Sequence, residues 1–192
     1  SEAIGLATEA KLLSCAKDSV PAPRVLQVFE PGGEIGEAFL MNRISGQTIA
    51  RKILRDDTFS IARTKLTRQC GAALAGIHTL SLDSLPELPA TDGLQQLAKY
   101  ETIYRGFALP RPVFELAIAW LKSNQPDTVP PVLVHGDFRL GNLIVDEAGL
   151  VAVLDWELAH VGDPREDIAW LCVNSWRFGQ SQNRVGGFGQ LD

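Results

Sequence analysis

The residues best suited to chemistry lie close together: His135-Gly136-Asp137, then Asn142, then Asp155 with Glu157 just beyond. Residues 132–134 read as a strand, 135–141 as a polar loop, 143–145 as a second strand, 146–149 as a turn, and 151–154 as a third strand ending at Asp155. Asp137 and Asn142 then stand at the two ends of one loop, with Asp155 at the end of the next hairpin, so all three can converge at one edge of a sheet. An aspartate to orient a hydroxyl, with an amide oxygen and a second carboxylate as hard ligands for Mg²⁺, is the minimum set for phosphoryl transfer. A metal-dependent hydrolase using His135, Asp137, Asp155 and His160 is the weaker alternative, because carboxylate and amide oxygens suit a transition metal poorly.

Competing chemistries lack their residues. The sequence has no G-x-S-x-G, no G-K-[ST], no G-x-G-x-x-G and no H-E-x-x-H. With only His78, His135 and His160, a multi-histidine metal centre is disfavoured, and His78 reads as an ordinary residue at a helix C-terminus. Cys15, Cys70 and Cys172 are odd in number, widely spread and without a C-x-x-C, which fits small buried hydrophobes in a reduced compartment, here the cytoplasm. Lys and Arg number 18 against 23 Asp and Glu, and the net charge of -5 disfavours a broad nucleic-acid footprint. No apolar run approaches the ~20 residues of a membrane span, and no targeting segment is visible.

These groups need a scaffold, and 192 residues, 45% hydrophobic and 21% charged, suffice for a real core. Residues 2–17 follow a helical period through Ala3, Leu6, Ala10, Leu13 and Ala16, closed by Pro21 and Pro23. Residues 25–29 and 38–41 read as a hairpin joined by Pro31-Gly32-Gly33, and Ser45-Gly46 as a break between two parts of the molecule. From 58 to 79, Phe59, Ala62, Leu66, Cys70, Ala73, Leu74 and Ile77 recur at three- and four-residue steps, which predicts one long amphipathic helix with Arg63, Lys65 and Arg68 on its solvated face. Helices are predicted over 92–107 and 111–123. Asp163-Pro164-Arg165-Glu166 has the form of a helix start, with Asp163 as N-cap and Glu166 completing a capping box. Trp120, Trp156, Trp170 and Trp176 read as core or cleft wall, with Trp156 the one placed beside a candidate ligand.

Val134-His135-Gly136-Asp137-Phe138-Arg139-Leu140-Gly141-Asn142, together with Leu154-Asp155-Trp156-Glu157, resembles the aminoglycoside phosphotransferase and choline kinase family, which has a protein-kinase-like fold. The step of five from Asp137 to Asn142 is that of a kinase catalytic loop. The likeness continues through Gly162-Asp163-Pro164 and Asp167-Ile168-Ala169 and loosely covers nearly the whole chain. Leu158 to Pro164 and Trp176-Arg177-Phe178-Gly179 are most similar to the branch fused to, or encoded beside, acyl-CoA dehydrogenases.

The resemblance implies an α+β, two-lobed fold, with residues 1–44 in a partial nucleotide-binding lobe and 45–192 in a mostly helical catalytic lobe. It implies Asp137 as catalytic base, Asn142 and Asp155 as Mg²⁺ ligands, Glu157 as a further metal candidate or a structural residue, and Asp167 as a brace for the loop. His135 would organise the loop rather than shuttle protons, and Arg139 would meet substrate or phosphate, or else face solvent. Glu9 matches the glutamate that pairs with the ATP-binding lysine. Leu40, Met41, Asn42 and Arg43 resemble the hinge against which adenine stacks, backbone groups near Arg43 making the contacts.

The family's phosphate-covering loop and strand lysine have no counterpart upstream of Glu9, and both chain ends read as cuts. The expectation is a Mg²⁺- and ATP-dependent kinase acting on a hydroxyl of a small metabolite. A hydroxylated acyl-CoA fits this branch better than a polycationic aminoglycoside, and an acyl-CoA dehydrogenase is the expected associate. The alternative is a pseudokinase or binding module without the phosphate loop. Oligomeric state and the choice of ATP over GTP stay open.

Overall fold

The computed structural model describes residues 3–177. Phe178-Gly179 of the motif quoted above, and the terminal run 186–189, lie outside the described residues. Helix α1 (Leu6–Ala16) buries Leu12, Leu13 and Ala16 and packs against an antiparallel pair, β1 (Val25–Phe29) and β2 (Ala38–Met41), in which Val28 faces Phe39. These elements match the sequence expectation. A short helix, α2 (Ala50–Arg55), was not foreseen. Its last carbonyls are closed by Arg63, whose Nη1 donates to the oxygens of Ile53 (2.8 Å) and Asp56 (2.9 Å), so Arg63 caps a helix instead of facing solvent.

Helix α3 (Ser60–His78) is the long helix predicted, and its stripe of Ala62, Leu66, Cys70, Ala73, Leu74 and Ile77 is buried. Each buried Leu or Ile contributes about 1.5–3 kcal/mol relative to exposure. That stripe is the spine of the core and sets α3 against β3 (Val132–Val134) and β5 (Leu150–Val153). Between them, α4 (Gly93–Gly106) opens with a reciprocal Asp92–Gln95 capping box, and α5 (Pro112–Ser123) opens with proline in its first turn. The two helices are joined by Arg105–Glu115 and Lys122–Glu101 ion pairs and bury no residue. Trp120 on α5 is therefore exposed, contrary to its reading as core or wall.

The strands around the chemical residues do not form one sheet. β4 (Leu143–Val145) pairs with β5, while β3 pairs with β6 (His160–Gly162), a strand too short and too irregular in polarity to be predicted. The candidate residues thus hang from two separate ladders, not from one sheet edge. Helix α6 (Arg165–Leu171) follows, without the expected capping box. Asp163 accepts the Arg165 N–H (2.9 Å), but Glu166 turns to His160 Nε2 (3.2 Å), a partner brought near only by the β3–β6 pairing. Of the three free cysteines only Cys70 is buried, its thiol pushed up to about 12 by desolvation; Cys15 and Cys172 are half-buried. Among the described residues no helix is long and apolar enough to cross a membrane.

Candidate active site

At the end of β3 the backbone turns through Gly136 at φ +82°, where a Cβ would strike the carbonyl oxygen of Leu158. Only glycine fits both demands. The N–H groups of His135 and Gly136 that this turn presents donate to Oδ2 and Oδ1 of Asp167, each at 2.9 Å. Asp167 is fully buried, and His78 Nε2–H donates to its Oδ2 at 3.0 Å. Three donors on one carboxylate tie α3, α6 and the catalytic loop together. His78, read from sequence as a helix end, is thus a support of the site; its partner lies 89 positions away, beyond any local pattern.

His135 is fully buried, its ring centroid 4.9 Å from that of Trp156 and 5.9 Å from that of Phe138. Its Nε2–H donates to the Leu154 carbonyl (3.1 Å), so Nδ1 accepts the Asp137 N–H (3.2 Å). Burial holds its pKa below the ordinary value, opposed by nearby Asp167. Both ring nitrogens of this neutral imidazole are spent on backbone, the arrangement of a loop organiser.

Asp137 is surrounded by donors. Asn142 Nδ2 donates to its Oδ2 at 2.6 Å, Trp170 Nε1 to its Oδ1 at 2.6 Å, and Arg139 Nε lies 3.1 Å from both oxygens. Asn142 is 5% exposed, and its amide also donates to the Asp137 carbonyl (3.1 Å). Its own carbonyl accepts the Leu154 N–H (2.8 Å), which anchors the residue before Asp155. Asp155 is exposed at φ +64°, a left-handed conformation in which aspartate is enriched among non-glycine residues.

With its amide nitrogen committed to Asp137, Asn142 has its side-chain oxygen left as a ligand atom. That oxygen and the open Asp155 carboxylate are hard donors that fit Mg²⁺, which takes one or two protein oxygens and fills its octahedron with water and phosphate. Glu157 is exposed, and its carbonyl accepts the Ile4 N–H (2.7 Å). Glu9 is 8% exposed and accepts the Trp156 N–H at 3.2 Å. Burial raises its pKa, the Trp156 N–H opposes that, and the charges of Asp155 and Glu157 add to the rise. Every lysine of the chain lies C-terminal to Glu9.

In the hinge, Asn42 Oδ1 accepts the Arg24 N–H (2.6 Å), and its own N–H returns to the Arg24 carbonyl (3.0 Å), so this side chain serves the backbone. Leu40 and Met41 are half-exposed apolar side chains and Arg43 is exposed.

Of the two readings for Trp156, the core one holds: it is fully buried, with Nε1–H on the Val153 carbonyl (3.2 Å), and the tryptophan at the site is Trp170. The hydrolytic alternative loses its ligands: among the described residues no three His, Cys, Asp and Glu side chains gather into a metal site. The His160 ring is spent on the Leu158 carbonyl (2.9 Å) and Glu166 (3.2 Å).

Both partners of His160 are acceptors, so protonation of both ring nitrogens is what satisfies them together. Burial pulls its pKa down, but Glu166 and the Leu158 carbonyl outweigh this and leave it above 6.5. A group raised in the folded state gives stability that is complete below the unfolded pKa and is lost as pH rises through the folded one. The melting-temperature gap between the protein and His160→Gln is expected to be widest at about pH 6 and to narrow toward about pH 9. A gap constant across that range would show that the ring is neutral.

A braced loop presents an aspartate bonded to an asparagine five residues on, with a second aspartate after the next hairpin, on an α+β scaffold of the protein-kinase-like class. The chain belongs to the phosphotransferase enzyme family, whose model matches residues 2–192. It is 32% identical over 170 residues to acyl-CoA dehydrogenase family member 10 of Mus musculus, covering 82% of this chain and 15% of that protein. Its fold is that of APH(2")-IIia in complex with GDP and kanamycin (TM-score 0.73, 15% identity, 85% of this chain and 60% of that one). It is also that of a choline/ethanolamine kinase family protein from Mesorhizobium loti (TM-score 0.64, 21% identity, 93% and 57%). The chain therefore spans less than two thirds of these solved chains and a small part of the dehydrogenase relative.

Proposed function

We propose that this chain carries the catalytic part of a Mg²⁺- and ATP-dependent kinase that phosphorylates a hydroxyl of a small metabolite. The observation that carries the reading is the Asp137–Asn142 side-chain bond at 2.6 Å, linked through the Leu154 N–H to Asp155. Asp137 is the group that orients the acceptor hydroxyl and takes its proton. Asn142 and Asp155 are the residues to hold Mg²⁺, with Glu157 beside them; the ion, when bound, neutralises charge on the phosphates. Arg139, adjoining Asp137, is a candidate contact for substrate, and His135 holds the loop in shape. Residues 1–44 form part of the nucleotide lobe and 45–192 the catalytic lobe, with Leu40 and Met41 offering apolar surface to a purine and Glu9 in the place of the glutamate that pairs with the ATP-binding lysine in the family.

The acceptor class most in keeping with the dehydrogenase-linked relatives is a hydroxyacyl-CoA, and an acyl-CoA dehydrogenase is the corresponding associate. The free cysteines suit the cytoplasm. The test is γ-phosphate turnover by the full-length protein, with and without chelator, against hydroxyacyl-CoA thioesters, other hydroxylated metabolites and an aminoglycoside. Turnover is expected to vanish with chelator and return with Mg²⁺. Absence of turnover with every acceptor, despite nucleotide binding, would favour a binding module.

A further inference from the structure

Asp137 has more partners than a catalytic base needs, and they are not equivalent. A carboxylate offers about four lone-pair directions, two on each oxygen. The two short bonds, both 2.6 Å, come from Trp170 to Oδ1 and from Asn142 to Oδ2. Arg139 Nε divides one N–H between the two oxygens at 3.1 Å each, and a shared hydrogen makes two weaker contacts. Trp170 and Asn142 therefore fix the carboxylate at separate oxygens, and Arg139 holds both more weakly.

We propose that Trp170 is a positioning residue for Asp137: its indole N–H holds Oδ1 while Asn142 holds Oδ2, so that the carboxylate meets the acceptor hydroxyl in one orientation. This rests on the phosphotransferase reading of Asp137. Burial alone does not force the bond, because Trp170 is 38% exposed. The ring is instead aimed by its own supports. Trp176 packs edge-on against it (centroids 5.4 Å, interplanar 77°) and donates Nε1–H to the Trp170 carbonyl at 2.9 Å. The Arg139 guanidinium lies 5.0 Å over the Trp176 ring, so the cation that shares Asp137 also closes the aromatic pair. Asp137, Arg139, Trp170 and Trp176 form one linked unit across residues far apart in sequence.

The test is Trp170→Phe in the full-length protein, which keeps a ring against Trp176 while removing the donor along with part of the indole's area. A hydrogen bond to a charged group is worth enough to predict a fall in kcat of about tenfold or more, with KM for Mg-ATP unchanged. In an Asp137→Ala background the same substitution is expected to cost nothing further, because it acts through the missing carboxylate. A second readout keeps Trp170 in place: in protein labelled with ¹⁵N at its tryptophans, the Trp170 indole proton is expected to move upfield on Asp137→Ala. Wild-type kcat in Trp170→Phe, or indole resonances indifferent to Asp137→Ala, overturns the inference while leaving the phosphotransferase reading intact. Normal turnover in Asp137→Ala instead overturns that reading, and this inference with it.

Discussion

Asp137→Ala is expected to lower phosphoryl transfer by about 10²–10⁴-fold, the usual contribution of a positioned general base. The fall belongs in kcat, because the substitution leaves the nucleotide side of the site in place. Asn142 keeps its second bond, from Nδ2 to the Asp137 backbone carbonyl at 3.1 Å, and so its side-chain oxygen stays directed as before. The Leu154 N–H remains on the Asn142 carbonyl, and the turn above it remains held by Asp167. KM for Mg-ATP is therefore expected to change little. Asp137→Asn is a poorer probe, since an amide nitrogen would face Trp170 Nε1 or Asn142 Nδ2, and rotation of the Asn142 amide to relieve that conflict would turn its oxygen away. Asp137→Ala also takes the acceptor from Trp170 Nε1 and from one Asn142 N–H, besides the partly exposed Arg139 pair, so a stability loss of about 1–3 kcal/mol is expected. Steady-state kinetics run well below the lowered melting transition checks the prediction; undiminished turnover would remove Asp137 from the chemistry.

What the sequence made legible divides along the range of the interaction involved. The α3 stripe from Ala62 to Ile77 was readable because a helix must bury one face at a fixed period, and no distant residue alters that demand. The Asp137–Asn142 pair was recognisable by its likeness to a kinase catalytic loop, and the bond between them spans only five residues. Where local pattern met a distant partner, the partner won. The Asp163–Glu166 sequence has the form of a capping box, yet Glu166 serves His160, placed beside it by strand pairing. Trp156 reads as core or cleft wall, and adjacency to Asp155 does not choose between them; successive residues point different ways, and its ring enters the core beside His135. Trp170 reaches Asp137 across 33 positions, and β6 exists because β3 pairs with it. α4 and α5 were legible as helices from their periods, while the exposure of Trp120 on α5 was not, since period reports a face and not what covers it.

The second large effect falls on Asp167, which touches no candidate substrate group. Its carboxylate is fully buried and receives the N–H of His135, the N–H of Gly136 and Nε2–H of His78. Asp167→Ala strands these donors at once, and stranded donors together with a broken buried charge contact predict a loss of about 3–5 kcal/mol. For a protein of this size that is about 10 °C in melting temperature. Asp167→Asn should cost less, because its amide oxygen can stay at the Oδ2 position, serving His135 and His78 and stranding only the Gly136 N–H, at about 1–3 kcal/mol. His78→Ala should cost least, as it removes a donor whose acceptor keeps two others. The order Ala over Asn at 167, with His78→Ala below both, follows from counting donors. Activity should follow the same order below the melting transition, because the Gly136 turn that Asp167 holds sets where Asp137 stands. Equal losses for Asp167→Ala and Asp167→Asn would mean that charge, and not the number of satisfied N–H groups, is what Asp167 supplies to the loop.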